Sequence, residues 1–167
     1  MNNYKRVLSI DPSGSGTTAI YFWNKDKNEG RFESFRSKCW KDHFLYIKSF
    51  CEKEEIDLII YETTNFIKIM GNDLTSLFKL FGSIETIIYS SKTVKKCGTV
   101  FVRNVKLLQK KIKENLLRSE NLKFIPGRSG GWFKNEQKIN IHEADAFLVY
   151  CYYFSNSNDE LFKKYLG

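Results

Sequence analysis

Ile141-His142-Glu143-Ala144-Asp145-Ala146-Phe147-Leu148-Val149-Tyr150 places polar residues at the start of an almost wholly apolar run. This pattern predicts a buried helix from about His142 to Phe154. In such a helix His142 and Asp145 share one face, whereas Glu143 is turned about a third of a turn away. A buried charge is unfavourable unless it has a partner or a metal ion. His142 and Asp145 are therefore candidate metal ligands, and Glu143 is expected to support them.

Two further acids follow apolar segments of strand length. Asp11 comes after Val7–Ile10, and Glu62 comes after Ile56–Tyr61. If these segments are neighbouring strands, both carboxylates lie at one edge of the sheet, where the helical pair can reach them. Three carboxylates and an imidazole can bind two divalent cations, which together hydrolyse phosphodiesters.

Each of these residues also has a simpler interpretation. Asp11 precedes a proline and would serve as a turn former, and Glu62 would cap a loop. His142 would be a satisfied core histidine, and Asp145 would pair with a lysine. The arrangement of all four at strand ends or on one helix face favours the metal site.

Length and composition indicate a globular protein. The chain has 167 residues, of which 42% are hydrophobic and 16% aromatic, and we expect a single domain over 1–167 with a loosely packed tail at 155–167. No apolar run is long enough to span a membrane and the N-terminus does not resemble a signal peptide, so a soluble, cytoplasmic protein is expected. The four scattered cysteines predict free thiols rather than a zinc module.

The positive charge is concentrated in one segment. The net charge is +8, and residues 92–138 contain thirteen Lys and Arg against three Glu. A solubilising surface usually mixes both signs. The asymmetry therefore favours a polyanionic partner, and nucleic acid above all.

The pattern of residues predicts the order β-β-β-α-β-α-α-β-α. Strands are expected at 5–10, 17–23, 31–37, 56–61 and 122–125, and helices at 40–54, about 72–88, about 99–118 and 142–154. Asn72-Asp73 is expected to cap the second helix. Residues 127–132 are rich in glycine and predict a basic loop. This order predicts an α/β fold with a mixed sheet and helices on both faces.

Together these motifs resemble the RuvC-type Holliday junction resolvases of the ribonuclease H-like superfamily. The resemblance is carried by Ile10-Asp11-Pro12-Ser13 with Thr18-Ala19, by Tyr61-Glu62 followed by the helix at 72–88, and by His142-Glu143-Ala144-Asp145-Ala146. It implies a five-stranded sheet in which strands 1–3 form an antiparallel meander and strands 1, 4 and 5 are parallel. It also implies that Asp11, Glu62, His142 and Asp145 bind two Mg²⁺ ions, for which Mn²⁺ would substitute, and cut DNA.

The same resemblance implies a homodimer joined through the helix at about 73–88. It also implies that this dimer nicks four-way DNA junctions, and its substrates would extend to other branched DNA. Phe66 is the candidate for stacking at the junction centre. The candidate phosphate contacts are Lys95, Lys96, Lys106, Lys110, Arg128, Lys134 and Lys138. The compact chain suggests a phage or viral-type member, acting in a host or infected cell.

Other functions are compatible with parts of the pattern. A ribonuclease acting on RNA or RNA–DNA hybrids would use the same fold and metals, and a non-catalytic nucleic-acid-binding module would keep the fold alone. Residues 11–18 faintly resemble the phosphate loop of actin-like kinases, but those enzymes need two such domains and this chain is too short for both. The sequence favours the junction endonuclease.

Overall fold

The computed structural model describes residues 4–64, 71–117 and 122–155. Its elements follow in chain order. They are β1 (Arg6–Asp11), β2 (Thr17–Asn24), β3 (Glu29–Arg36), α1 (Trp40–Lys53), β4 (Leu58–Thr63), α2 (Asn72–Ser90), β5 (Lys96–Phe101), α3 (Val102–Lys113), β6 (Leu122–Ile125), β7 (Gly131–Lys134), β8 (Gln137–Ile139) and α4 (Ile141–Ser155). Phe66 and the predicted tail beyond Ser155 lie outside the described residues.

The main sheet has five strands in the order β3-β2-β1-β4-β5. Strands β1, β2 and β3 form an antiparallel meander, whereas β4 pairs in parallel with both β1 and β5. The predicted mixed sheet, with its meander and its parallel half, is confirmed.

Each strand contributes alternate side chains to two cores, as the two-residue repeat of a strand requires. On one face, Val7, Leu58 and Ile60 pack against α3 and α4. On the other, Leu8, Ile10 and Ile59 belong to the core that also contains the buried side chains of α1 and α2. Helices therefore cover both faces, and the central strands β1 and β4 are apolar runs.

The fifth strand is not the segment predicted. Residues 96–101 form it, and the predicted helix at 99–118 begins only at Val102. Thr99, Val100 and Phe101 are β-branched or aromatic and extend the ladder with β4, so they are strand residues despite the helical spacing around them. Leu122–Ile125 instead joins a separate three-stranded sheet in the order β6-β7-β8.

The predicted glycine-rich loop is only partly a loop. Its last residues, Gly131 and Trp132, begin β7, and the Trp132 side chain is buried against the core beneath α4. The tryptophan makes this hairpin part of the packed structure, because its large apolar surface must be covered.

Helix α2 begins at Asn72, so its N-cap lies one residue before the Asn72-Asp73 cap that the sequence predicts. Gly71 occupies the N-cap position, and the Asp73 carboxylate accepts a hydrogen bond from Ser15 Oγ at 2.6 Å. This bond ties the turn after β1 to the first turn of α2. Within the same turn, a Cβ atom on Gly14 would stand 2.5 Å from the backbone nitrogen of Leu77.

The four cysteines are free thiols, as predicted. Among the described residues, no helix combines the length and the apolar character that crossing a bilayer requires.

Gly14→Ala is expected to lower the free energy of unfolding by about 1–3 kcal/mol, because the new methyl group overlaps the α2 backbone and the turn must shift. Gly82→Ala is the matched control. Its Cβ would meet nothing within 4 Å, so helix propensity should stabilise the protein by up to about 1 kcal/mol. Urea denaturation of both variants measures the difference, and equal stability of the two would contradict this packing.

Candidate active site

Asp11 and Glu62 lie on neighbouring parallel strands and point to the same face of the sheet. The register pairs Ile10 with Tyr61, and Glu62 lies within β4 rather than after it. Alternation along β4 puts Glu62 on the face of Leu58 and Ile60, which α4 covers. The two carboxylates therefore meet under the start of α4.

Helix α4 is anchored over β1 by a buried hydrogen bond. The Ser9 hydroxyl donates to the carbonyl oxygen of Ala146 at 2.7 Å. Ser9 is fully buried, so this bond fixes the position of the helix along the strand. It also brings the first turn of α4 to the carboxyl end of β1.

Glu143 caps α4 instead of facing the acids. Its backbone N–H donates to Asn140 Oδ1 at 2.9 Å, and its carboxylate accepts from the Asn140 N–H at 2.9 Å. This reciprocal pair is a capping box. Ser34 of β3 also donates to the carboxylate. The sequence predicts that Glu143 supports the other site residues. In the structure, Glu143 holds the end of the helix that carries His142.

His142 contacts Asp11 directly, with 2.8 Å between Nδ1 and Oδ2. The hydrogen bond to Asp11 raises the pKa of the imidazole above its ordinary value. Burial raises the pKa of Asp11, although the bond to His142 opposes that effect. His142 and Asp11 therefore share a proton in a hydrogen bond at the edge of the site.

Asp145 is the most deeply buried of the four residues, with 3% of its surface exposed. The Lys106 ammonium lies 2.8 Å from Oδ2, and the Gln109 side-chain amide donates to Oδ1. Lys106, predicted as an outer phosphate contact, thus has its charge at the centre of the site. The simpler interpretation, in which Asp145 pairs with a lysine, describes the structure as it stands.

Glu62 carries the clearest sign of an incomplete site. Its Oε2 atom is buried and has no hydrogen-bond partner among the described residues. Burial, followed by the charges of Asp11 and Asp145, raises the pKa of Glu62 to about 8. A buried carboxylate facing two others is unfavourable at neutral pH unless a cation joins them.

The donor atoms suit a hard divalent cation, since carboxylate oxygens are the ligands that Mg²⁺ prefers. The unpartnered oxygen of Glu62 is the observation that fits such an ion. In the described ranges, however, no three Asp, Glu, His or Cys side chains are gathered around a common point for a metal. Asp145 is instead held by Lys106 and Gln109.

The predicted phosphate contacts fall into different places. Lys96 begins β5, four residues before Val100, the partner of Glu62. This places it ~13 Å along the strand from the acids. Lys95 precedes it and lines a cleft with Lys5, Asp26 and Asp57. Both lysines are therefore at the opposite edge of the sheet from the candidate site.

Lys134 points into the protein. Its ammonium lies 4.8 Å from the ring centre of Phe147 and 5.9 Å from that of Tyr21, and burial lowers its pKa. It therefore stabilises the packing of β7 against α4 through cation–π contacts.

Arg128, Lys138 and Lys110 are exposed. Lys138 donates to the carbonyl oxygen of Ser129 in the turn that contains Arg128. Because β7 pairs Trp132 with Ile139, this turn lies at the end of the small sheet from which α4 starts. Lys110 lies one turn after Lys106 on α3 and pairs weakly with Glu114 at 3.9 Å.

Comparison with solved structures defines the class of fold. RuvC from Thermus thermophilus, solved in complex with a Holliday junction substrate, aligns with a TM-score of 0.59 at 13% identity, covering 86% of this chain and 89% of that chain. Another T. thermophilus RuvC structure aligns at 0.49 with 14% identity over 86% and 90% of the two chains. The yeast mitochondrial Holliday junction resolvase Ydc2 aligns at 0.47 with 13% identity over 97% and 80%. Only the first score exceeds 0.5 and carries weight.

The chain therefore shares its fold with that RuvC structure. This is the fold of RuvC-type resolvases. No protein-family profile matches the sequence, and no curated protein matches it by sequence. The likeness to RuvC therefore lies in the fold.

The raised pKa of Glu62 predicts a pH-dependent stability in the metal-free protein. Between pH 4.5 and 8 the unfolded chain loses the Glu62 proton while the folded chain keeps it, so stability falls as the pH rises, by at most about 1.4 kcal/mol per pH unit. Stability contributed by the raised pKa of His142 is also lost as the pH rises, but only above its ordinary value of 6.5. Measurements between pH 4.5 and 6.5 therefore exclude the contribution of His142 to the pH dependence of stability.

Chemical denaturation in a chelator across this window should show a flatter profile for Glu62→Gln than for the wild type. Glu29→Gln, at an exposed position, should keep the wild-type profile. Parallel profiles for the wild type and Glu62→Gln would show that Glu62 is not protonated in the folded state.

Proposed function

We propose that this protein is a divalent-metal-dependent endonuclease that resolves four-way DNA junctions. The observation that supports the proposal is the position of Asp11 and Glu62 on neighbouring strands, with His142 bonded to Asp11 and the buried Glu62 Oε2 without a partner among the described residues. The T. thermophilus RuvC whose fold this chain shares was solved with a Holliday junction substrate. The fold and these residues together favour a junction-resolving nuclease.

Asp11, Glu62, Asp145 and His142 are the residues that would hold the metal, with Mg²⁺ as the expected ion and Mn²⁺ as its substitute. When two ions are bound, they activate the attacking water and stabilise the leaving 3′ oxygen. The protein supplies fixed positions for these ligands, because β1 and β4 are central strands and Ser9 anchors α4. His142 is held by Asp11 through Nδ1, and where its Nε2 is not bound to a metal ion it can pass a proton to the leaving oxygen.

Basic residues near the acids would position the DNA backbone. Among the described residues, the positive charge of residues 92–138 lies on the segment from Lys92 to β5, on α3 and on the small sheet. Arg128, Lys138 and Lys110 are exposed there and are the proposed phosphate contacts. Phe66 stays a candidate for stacking, and it lies outside the described residues.

A homodimer through α2 would present two such sites to the two-fold symmetric junction. The inner face of this helix cannot form a dimer interface, because its apolar side chains are buried in the core. They are Leu80, Phe81, Ile84 and Ile87. The outer face carries Gly82, beside which a Cβ would meet open space, and Tyr89, which is 90% exposed. Gly82 gives a second helix close access to the backbone, and Tyr89, about two turns further along the same face, offers an exposed aromatic for it to cover.

Asp11→Asn and Asp145→Asn are each expected to reduce nicking of a four-way junction in Mg²⁺ by more than about 100-fold while leaving junction binding nearly intact, because each removes a ligand charge but no DNA contact. Asp26→Asn, on the far side of the sheet, is the control. Normal cutting by either site variant would refute the assignment, and preferential cutting of an RNA–DNA hybrid would favour the ribonuclease alternative.

Arg128→Ala should weaken junction binding and reduce the slope of log affinity against log salt concentration by about 1, since one phosphate contact is lost. Lys95→Ala removes the same charge at the opposite edge of the sheet and should leave the slope unchanged. Fluorescence anisotropy across a salt series measures both. Equal effects of the two substitutions would indicate a non-specific charge effect rather than a contact at Arg128.

Gly82→Arg should convert the proposed dimer to a monomer, because the new side chain fits the folded chain but blocks approach to the outer face of α2. Sedimentation equilibrium measures the mass, with Glu52→Arg on the exposed face of α1 as the control. A wild-type monomer, or a dimer that persists in Gly82→Arg, would exclude this interface.

A further inference from the structure

Asp145 differs from the other acids in having a donor for each of its oxygens. Lys106 Nζ lies 2.8 Å from Oδ2, and the Gln109 side-chain amide donates to Oδ1. Both donors come from α3 and are three residues apart, so they share one face of that helix. The positive charge of Lys106 and the amide of Gln109 together satisfy a carboxylate that is almost fully buried.

Glu62, facing the same space, is not satisfied. Its buried Oε2 has no partner among the described residues, whereas Asp11 is engaged only by His142. The site is therefore divided. Glu62 is open to a cation, Asp11 is bonded to His142, and Asp145 already has a counter-charge in the form of the lysine.

The two donors of Asp145 differ in their freedom to move. Gln109 is buried, with 5% of its surface exposed, and so holds the carboxylate in a fixed orientation. The Lys106 side chain is 49% exposed and reaches the acid from the solvent side. Lys106 can swing outward without disturbing the core, whereas Asp145 and Gln109 cannot.

We propose that Lys106 occupies Asp145 in the DNA-free protein and transfers to a phosphate of bound DNA, so that Asp145 becomes a metal ligand only when substrate is present. This inference rests on the proposed function. Gln109 is the positioning residue that keeps Asp145 oriented during the exchange.

Electrostatics favours an exchange over a simple release. A buried carboxylate without a counter-charge is strongly unfavourable, so Asp145 keeps Lys106 until another cation can replace it. A DNA phosphate supplies the lysine with a new anionic partner at the moment of binding. The loading of the second ion is thereby coupled to the arrival of the substrate.

The test is the number of Mn²⁺ ions bound per chain, measured by isothermal titration calorimetry without turnover. Wild-type protein should bind one ion alone and two in the presence of a four-way junction with phosphorothioate linkages that resist cleavage. Lys106→Met should bind two ions without DNA, with the second at least tenfold tighter than in the wild type. Lys106→Arg keeps the charge and should restore the one-ion state.

Lys41→Met, at an exposed position in the first turn of α1, is the control and should bind one Mn²⁺ ion without DNA. If Lys106→Met does not fold, Lys106→Gln takes its place as the test variant, because glutamine retains a donor for Asp145. The comparison of the wild type with and without DNA needs no variant. Two ions bound to the DNA-free wild type, or one ion bound to a folded Lys106→Met, would refute the exchange of Lys106 but not the proposed function. No Mn²⁺ binding with or without the junction would overturn the proposed function as well.

Discussion

The parallel register of β1 and β4 is the constraint on which the candidate site depends. Pairing Ile10 with Tyr61 puts Asp11 and Glu62 on adjacent strands, and the alternation of side chains turns both toward α4. The hydrogen bond from Ser9 to Ala146 then fixes α4 over β1. A shift of one residue in the pairing of β1 with β4 would turn the acid of the shifted strand into the opposite core, away from the other groups of the site.

The site gathers negative charge in a poorly solvated place, and this has an energetic cost that the fold offsets locally. Lys106 compensates Asp145, and His142 compensates Asp11. Glu62 has neither compensation, and its raised pKa records that imbalance. Such a site is less stable empty than filled, which is the thermodynamic reason that carboxylate clusters bind cations. Glu62, which has no compensating charge, would therefore accept a cation before Asp145, which must first lose Lys106.

Sequence reasoning found the parts of the molecule that a local pattern determines. The apolar runs of β1 and β4, the long apolar helix α4 and the acids attached to them all follow from short, periodic segments. The fifth strand was misassigned because β5 runs into α3 at Phe101–Val102 with no turn residue between them, so helical spacing concealed a short edge strand. The role of Gln109 has no sequence signal, since periodicity gives the face of a helix but not the residue opposite. The same limit applies to Lys106, to Lys134 and to the distant position of Lys96.

Gly14 gives the turn after β1 a mechanical role. The turn touches the backbone of α2 without an intervening side chain, and Ser15 binds Asp73 beside it, so the turn and the helix form a stiff strut with little compliance. A movement of α2 would therefore also move the turn that follows Asp11. In the proposed assembly through α2, the contact would tie the position of Asp11 to that of the interface helix.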